Sequence, residues 1–370
     1  MADRLERRFA ETFGASYAVS FVNGTATMHA ALSAAGVGPG DEVIVPPLTM
    51  ASTAFSVLHA HALPIFADVD PQTWTLDPEA VRRAITPRTK AIIPVALYGL
   101  SPDMDPIMDI ARQSNITVIE DSAECVLGSY KGRTVGTIGH AGSFSFQSSK
   151  HMTSGEGGMV VTNSNDYATA IRRFSSLGYS AVGSSAGKIT REIIQDPDYE
   201  RHASIGWNYR MGDLNAAVAL AQTERLHELV ELRCRVAALF ESARDNCPWL
   251  VPQKVPSDYR HVYWSWVVKL NNEGGFGWHE FRRRYVEFGG DSIYAAWQLT
   301  YREPAFMGRE FERYVNPLEG EWPQSYEVGL CPVAESLQSN LFQFKTNYYD
   351  FNIAERKAEA LAKTIAYFGS

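Results

Sequence analysis

The sequence predicts an α/β fold: a large domain on a mainly parallel sheet flanked by helices, followed by a smaller α+β domain. Three observations carry this. Short β-rich runs alternate with helical patterns over roughly the first 165 residues. The runs read as buried strands, so the sheet is expected to be covered on both faces. After Pro248 the character shifts to aromatic-rich strands and amphipathic helices.

Element by element, Tyr17–Val22 reads as a strand and Thr25–Ala35 as a helix of small residues. The turn Gly38-Pro39-Gly40-Asp41 opens a strand over Glu42–Val45. Pro64–Val69, Thr89–Val95, Thr117–Glu120 and Met159–Thr162 read as further strands, with helices near Pro78–Ile85 and Met104–Ser114. Ligands of such sheets sit beyond the carboxyl ends of the strands. Residues 178–204 are polar and rich in Ser, Gly and Asp, which suggests a long loop or insertion. Asp213–Arg244 reads as one long helix. His261–Leu270 reads as a strand with three aromatics, Trp278–Phe288 as a helix and Ile353–Phe368 as the last helix. The expected division is 1–244 for the large domain and 245–370 for the small one.

Composition narrows the classes of function. A chain of 370 residues, 45% hydrophobic and 21% charged, is ordinary globular usage, so disorder is excluded for its bulk. Lys and Arg total 34 against 42 Asp and Glu, a net charge of −8, which argues against nucleic acid as the main partner. Cys125, Cys234, Cys247 and Cys331 stand far apart, with neither zinc nor disulfide spacing. His59 and His61 are two apart and would not share a helix face, so no metal is expected. The charged stretch Met1–Arg8 has no apolar core behind it and is not read as an export signal. Apolar runs fall far short of the ~20 residues of a membrane span. A cytoplasmic protein without membrane partners is expected.

Three loops could carry chemistry. In Phe21-Val22-Asn23-Gly24-Thr25-Ala26-Thr27 a strand runs into a helix start, where free N–H groups and the positive dipole end suit an anion. Read alone, it is more often a capped helix with nothing bound. Val118-Ile119-Glu120-Asp121-Ser122-Ala123-Glu124 ends a strand in carboxylates, which could also be a solvated turn. Ser143 and Ser145 alternate with Phe144 and Phe146 before Lys150 and the turn Gly155-Glu156-Gly157-Gly158. A lone Lys is usually a surface charge. Held between an apolar strand and Gly-rich turns, it loses water, which favours the neutral amine and Schiff-base chemistry. No GxGxxG fingerprint follows a strand, which disfavours a nicotinamide oxidoreductase, and there is no P-loop, HExxH or GxSxG.

Taken together, these segments resemble the DegT/StrS family of sugar aminotransferases, pyridoxal 5'-phosphate (PLP) enzymes of fold type I in the aspartate aminotransferase superfamily. The resemblance covers roughly residues 5–235 well. Its carriers are Asn23-Gly24-Thr25-Ala26, Gly38–Pro46, Val69-Asp70-Pro71, Glu120–Glu124, Phe144-Ser145-Phe146 with Lys150, Gly155–Gly158 and Asn208-Tyr209-Arg210-Met211. It implies a seven-stranded type of sheet and PLP as cofactor. It implies Lys150 as the amine that holds the cofactor and Asp121 as the carboxylate beside the pyridine nitrogen, which stabilises the ring's charged form. Gly24, Thr25 and Ser145 match phosphate donors. Asn208 matches an amide reaching the phosphate of the neighbouring subunit, so a homodimer with shared sites is implied. Ala123 matches the small residue under one ring face. Two positions depart from the pattern. Glu124 stands where Gln is usual at the cofactor's 3′ oxygen, and a Glu there must be protonated or meet a phenol that keeps its proton. Met50 stands where an aromatic usually stacks on the ring; a thioether covers a ring less rigidly.

The activity implied is transfer of an amino group from an amino acid, L-glutamate by resemblance, to a keto or aldehyde sugar, for a cell-surface glycan such as lipopolysaccharide or for a natural product. Ile293–Tyr301 and the Gln147–His151 loop depart from common nucleotide-sugar members and lean toward a free sugar, such as an octulosonate derivative or a scyllo-inosose-type cyclitol. Those aromatics could equally be core of the small domain. A PLP-dependent sugar dehydratase is the competing enzyme class, because such relatives carry His in place of the lysine and His151 is the neighbour of Lys150. A regulatory relative without turnover is disfavoured by the presence of lysine, carboxylate and phosphate donors together.

Overall fold

The computed structural model describes residues 1–185, 189–271, 275–308, 310–315 and 324–369. Seven strands form the main sheet: β1 (Tyr17–Phe21), β2 (Glu42–Val45), β3 (Leu63–Phe66), β4 (Thr89–Ile92), β5 (Thr117–Asp121), β6 (Ala141–Ser145) and β7 (Gly158–Thr162). Their order is β1-β7-β6-β5-β4-β2-β3. The pairs from β3 through β6 are parallel, and β7 runs antiparallel to both neighbours. Residues alternate between faces along each strand. Val43 and Val45 join one apolar cluster and Ile44 the other, so both faces of the sheet are covered. This is why the sequence reads as solid apolar runs.

The helices around this sheet are α1 (Ala2–Phe13), α2 (Gly24–Ala34), α3 (Ser52–His59), α4 (Pro78–Ala84), α5 (Met104–Ser114) and α6 (Asn165–Ser175). Asp77 caps α4 through two backbone N–H groups, with Pro78 at its first position. Asn115 in a left-handed conformation ends α5. The expected long helix over 213–244 is two helices, α7 (Asp213–Glu224) and α8 (Leu226–Ala243), broken at Arg225 with φ −106°. No Gly or Pro marks that break, so the periodic pattern runs across it. Within 178–204 a short helix forms at Arg191–Gln195.

A second, antiparallel sheet is built from β8 (Leu250–Pro252), β9 (Ser265–Leu270), β10 (Tyr294–Ala295) and β11 (Leu341–Lys345), in the order β8-β9-β11-β10. It packs with α8, α9 (Trp278–Glu287) and α10 (Phe351–Gly369) around Phe240, Trp266, Phe281, Phe344 and Leu361. The strand expected from His261 begins only at Ser265. The chain between β10 and β11 folds back onto the main sheet, where Leu299, Tyr301, Phe306 and Leu337 join the cluster of Val43 and Val57. No helix among the described residues is long and apolar enough to cross a membrane. The carboxyl ends of β5 and β6 and the start of α2 and α3 thus meet at one edge, facing the second sheet.

Candidate active site

A cavity of about 660 Å³ opens at that edge. Gly24, Thr25, Met50, Asp121, Ala123, Glu124, Ser145 and Lys150 all line it. Asn208 does not: it lies on the exposed stretch 207–208, with its backbone bridged to Ser176. The second sheet supplies the facing wall, with Trp264, Tyr294, Trp297, Gln343 and Lys345.

The start of α2 makes the anion end. Asn23 accepts from the Ala26 N–H at 2.8 Å, which leaves the N–H groups of Gly24 and Thr25 without intrahelical acceptors. Gly24 is needed for close approach, because a Cβ there would sit 2.9 Å from the Ser145 Cβ and 3.3 Å from its Oγ. The hydroxyl of Ser145 therefore stands beside these N–H groups.

The carboxylate end is buried. Asp121 closes β5; Thr53 Oγ1 donates to its Oδ2 at 2.8 Å and the Ala123 N–H to its Oδ1 at 3.2 Å. Burial pushes the Asp121 carboxyl up, and the Thr53 and Ala123 hydrogen bonds and the Lys150 charge work against it. Glu120, on the opposite face, accepts from the Gly136, Ile138 and Gly139 N–H groups and shapes the loop into β6. Glu124 accepts from the Tyr98 N–H at 3.0 Å through Oε2, while its Oε1 lies 3.3 Å from Lys150 Nζ. Burial raises the Glu124 carboxyl; Lys150 opposes it.

Lys150 projects into the cavity with 13% of its side chain exposed. Its Nζ sits between Glu124 and the ring of Trp264, 4.5 Å from the ring centroid. His151, by contrast, is buried away from the cavity, with Nε2 2.9 Å from Val262 O. Burial holds His151 well below the usual imidazole range. Met50 is half exposed at the cavity mouth. In the Ile293–Tyr301 segment the structure divides the aromatics: Tyr301 is core, Tyr294 is exposed at the cavity, and Trp297 stacks between Trp264 and Tyr98.

Thr53, Trp264 and Arg233 are site residues that sequence reasoning did not single out. Thr53 lies three residues after Met50, in the first turn of α3, and its N–H bonds Met50 O at 3.2 Å. Trp264 and Arg233 lie more than 80 residues from Lys150 in the chain and carry no local signal.

The donor set fits PLP. A desolvated carboxylate suits a ring N–H⁺, two free N–H groups and a hydroxyl suit a phosphate, and an amine shares with them a cavity roomy enough for a second molecule.

Known proteins resemble this chain over most of its length. The family model described as the DegT/DnrJ/EryC1/StrS aminotransferase family matches residues 1–325. GDP-perosamine synthase of Caulobacter vibrioides is 42% identical over 267 residues, 72% of this chain and 68% of that protein. The spore coat polysaccharide biosynthesis protein SpsC of Bacillus subtilis is 38% identical over 270 residues, 73% of this chain and 68% of that protein. The X-ray structure of the aminotransferase from Psychrobacter cryohalolentis superposes with a TM-score of 0.86 at 29% identity, over 100% of this chain and 92% of that one.

Proposed function

We propose, from the premise that this chain belongs to the DegT/DnrJ/EryC1/StrS aminotransferase family, that it moves an amino group from L-glutamate to a nucleotide-linked keto sugar destined for a cell-surface glycan. The protein is a PLP-dependent aminotransferase of amino-sugar biosynthesis. The observation that carries the reading is the Lys150 amine, held inside a cavity that also contains Asp121 and the start of α2. The nucleotide link is supported by the name of the 42% identical relative.

When bound, PLP supplies an aldehyde that captures amines and a ring that accepts carbanion electrons. Lys150 would hold the cofactor and then move a proton at the amino donor's α-carbon; such transfer contributes ~10²–10⁴-fold. Asp121 would keep a proton on the ring nitrogen. Gly24, Thr25 and Ser145 would bind the phosphate, and Ala123 and Met50 would cover the ring's two faces. Glu124 would meet the ring oxygen. The wall of Trp264, Trp297 and Tyr294 offers flat apolar surface to one face of a sugar. The lysine in the cavity favours transamination over the dehydratase alternative, in which His takes that place.

The active unit we propose is a homodimer. Asn208 is exposed and does not line its own cavity, which leaves it free to serve a neighbour's, and Ile205, Trp207, Leu214 and Val218 are exposed apolar residues in the same stretch. The large domain is taken as 1–244 and the small as 245–370.

The test is transfer of ¹⁵N from labelled glutamate to a panel of GDP-, UDP- and dTDP-linked keto sugars beside free keto sugars and scyllo-inosose. Label on a nucleotide-linked sugar is expected. Label only on free sugars or the cyclitol contradicts the acceptor, and label on none contradicts the activity.

A further inference from the structure

We propose that Arg233 is a positioning residue that sets the orientation of Lys150 by tying the lysine's loop to the second sheet. Arg233 lies on α8, nearly buried, at the wall of the cavity. Its Nη2 donates to Ser149 O at 2.9 Å and to Lys150 O at 2.6 Å. Its Nη1 donates to Trp264 O at 2.8 Å and to Thr346 Oγ1 at 3.3 Å. All four acceptors are uncharged. A buried guanidinium with neutral partners is costly to desolvate, and burial pulls its pKa down to about 10. Its forked geometry is what reaches two groups of acceptors at once.

These contacts close a ring of interactions. The Trp264 indole N–H also donates to Ser149 O, at 2.9 Å, and Lys150 Nζ lies over its ring, 4.5 Å from the centroid. Trp264 precedes β9 and Thr346 follows β11, the two central strands of the second sheet. Thr346 Oγ1 in turn bonds Tyr263 O and Trp264 O at 2.7 and 2.8 Å. Arg233 thus fixes the backbone of Lys150 from one side and the ring under its amine from the other. The cation also favours the uncharged form of whatever the amine of Lys150 forms nearby.

This rests on Lys150 being the lysine that holds PLP, which reduction and mass analysis of the wild type tests separately. Two variants of the holoenzyme separate fork from charge. Arg233→Lys keeps the charge and loses the fork. It is expected to lower kcat about tenfold or more, with KM for the amino donor within about threefold, and to leave the pH midpoint of the bound cofactor's visible absorbance unchanged. Arg233→Met loses both, and that midpoint should also rise by about half a pH unit or more. Wild-type kcat in Arg233→Lys overturns the proposal, as does an unshifted midpoint in folded Arg233→Met. Should Arg233→Met not fold, the split between kcat and KM in Arg233→Lys decides alone.

Discussion

Thr53 Oγ1 donates a 2.8 Å hydrogen bond to Asp121 Oδ2, so the first turn of α3 reaches across to the end of β5. The bond supports the charged carboxylate against the burial that disfavours it. Thr53→Val keeps shape and removes the donor; a lost hydrogen bond to a charged group is worth about 1.5–3 kcal/mol. Activity should fall about tenfold to a hundredfold. Asp121→Asn, which removes the charge itself, should cost more. Steady-state kcat of both variants at equal PLP occupancy checks the order, and a larger loss in Thr53→Val than in Asp121→Asn contradicts it.

Gly24 has no room for a side chain. Gly24→Ala places a methyl 2.9 Å from the Ser145 Cβ and must push Ser145 from the start of α2. PLP affinity should weaken about tenfold or more while the fold persists, since the clash is local to the proposed phosphate cradle. Equilibrium titration of apo-protein with PLP, with far-UV dichroism as the control, reads both. Unchanged affinity would remove the phosphate from this place.

Glu124 decides whether a neutral donor is enough at its position. Burial raises its carboxyl, and a protonated acid donates a hydrogen bond as an amide does. Glu124→Gln should therefore keep kcat within about threefold near neutral pH. A hundredfold loss would mean that the charge facing Lys150 Nζ at 3.3 Å is what the site uses.

His29 is a buried histidine among Phe174, Trp207 and Tyr209. Burial first, then the charges of His59 and His61, hold its pKa at about 4, below the ordinary 6.5. The unfolded chain therefore binds a proton between these values that the folded one refuses. His29's contribution is complete above pH 6.5 and is lost as pH falls toward 4. Relative to His29→Gln, wild-type unfolding free energy should drop by about 2 kcal/mol between pH 7 and 5. Denaturant titrations at the two values test this, and parallel pH dependence in both proteins would contradict it.

Much of the fold was legible because the main sheet is local in its grammar. Met104–Ser114 is a helix over the expected residues, closed by Asn115, and Glu42–Val45 is a strand over the expected residues. The loops bearing Gly24, Asp121 and Lys150 lie where strands hand over to the next element, so the cavity-lining residues could be picked before their meeting was visible. Other parts carried weaker marks. Helix α3 begins at Ser52 after Ala51, which makes no side-chain cap, so nothing announces its start. Helix α1 does carry an apolar stripe, Leu5, Phe9 and Phe13, that its charges obscure. Trp264 and Arg233 become site residues only through packing of the second sheet on the first, which single-sequence spacing does not encode.

The most direct measurement of the central claim is borohydride reduction of the PLP-loaded protein, followed by proteolysis and mass analysis. The expected result is one modified peptide, with the pyridoxyl mass on Lys150 and none in Lys150→Ala. A pyridoxyl group on any other lysine, or visible absorbance that survives in Lys150→Ala, would contradict the account.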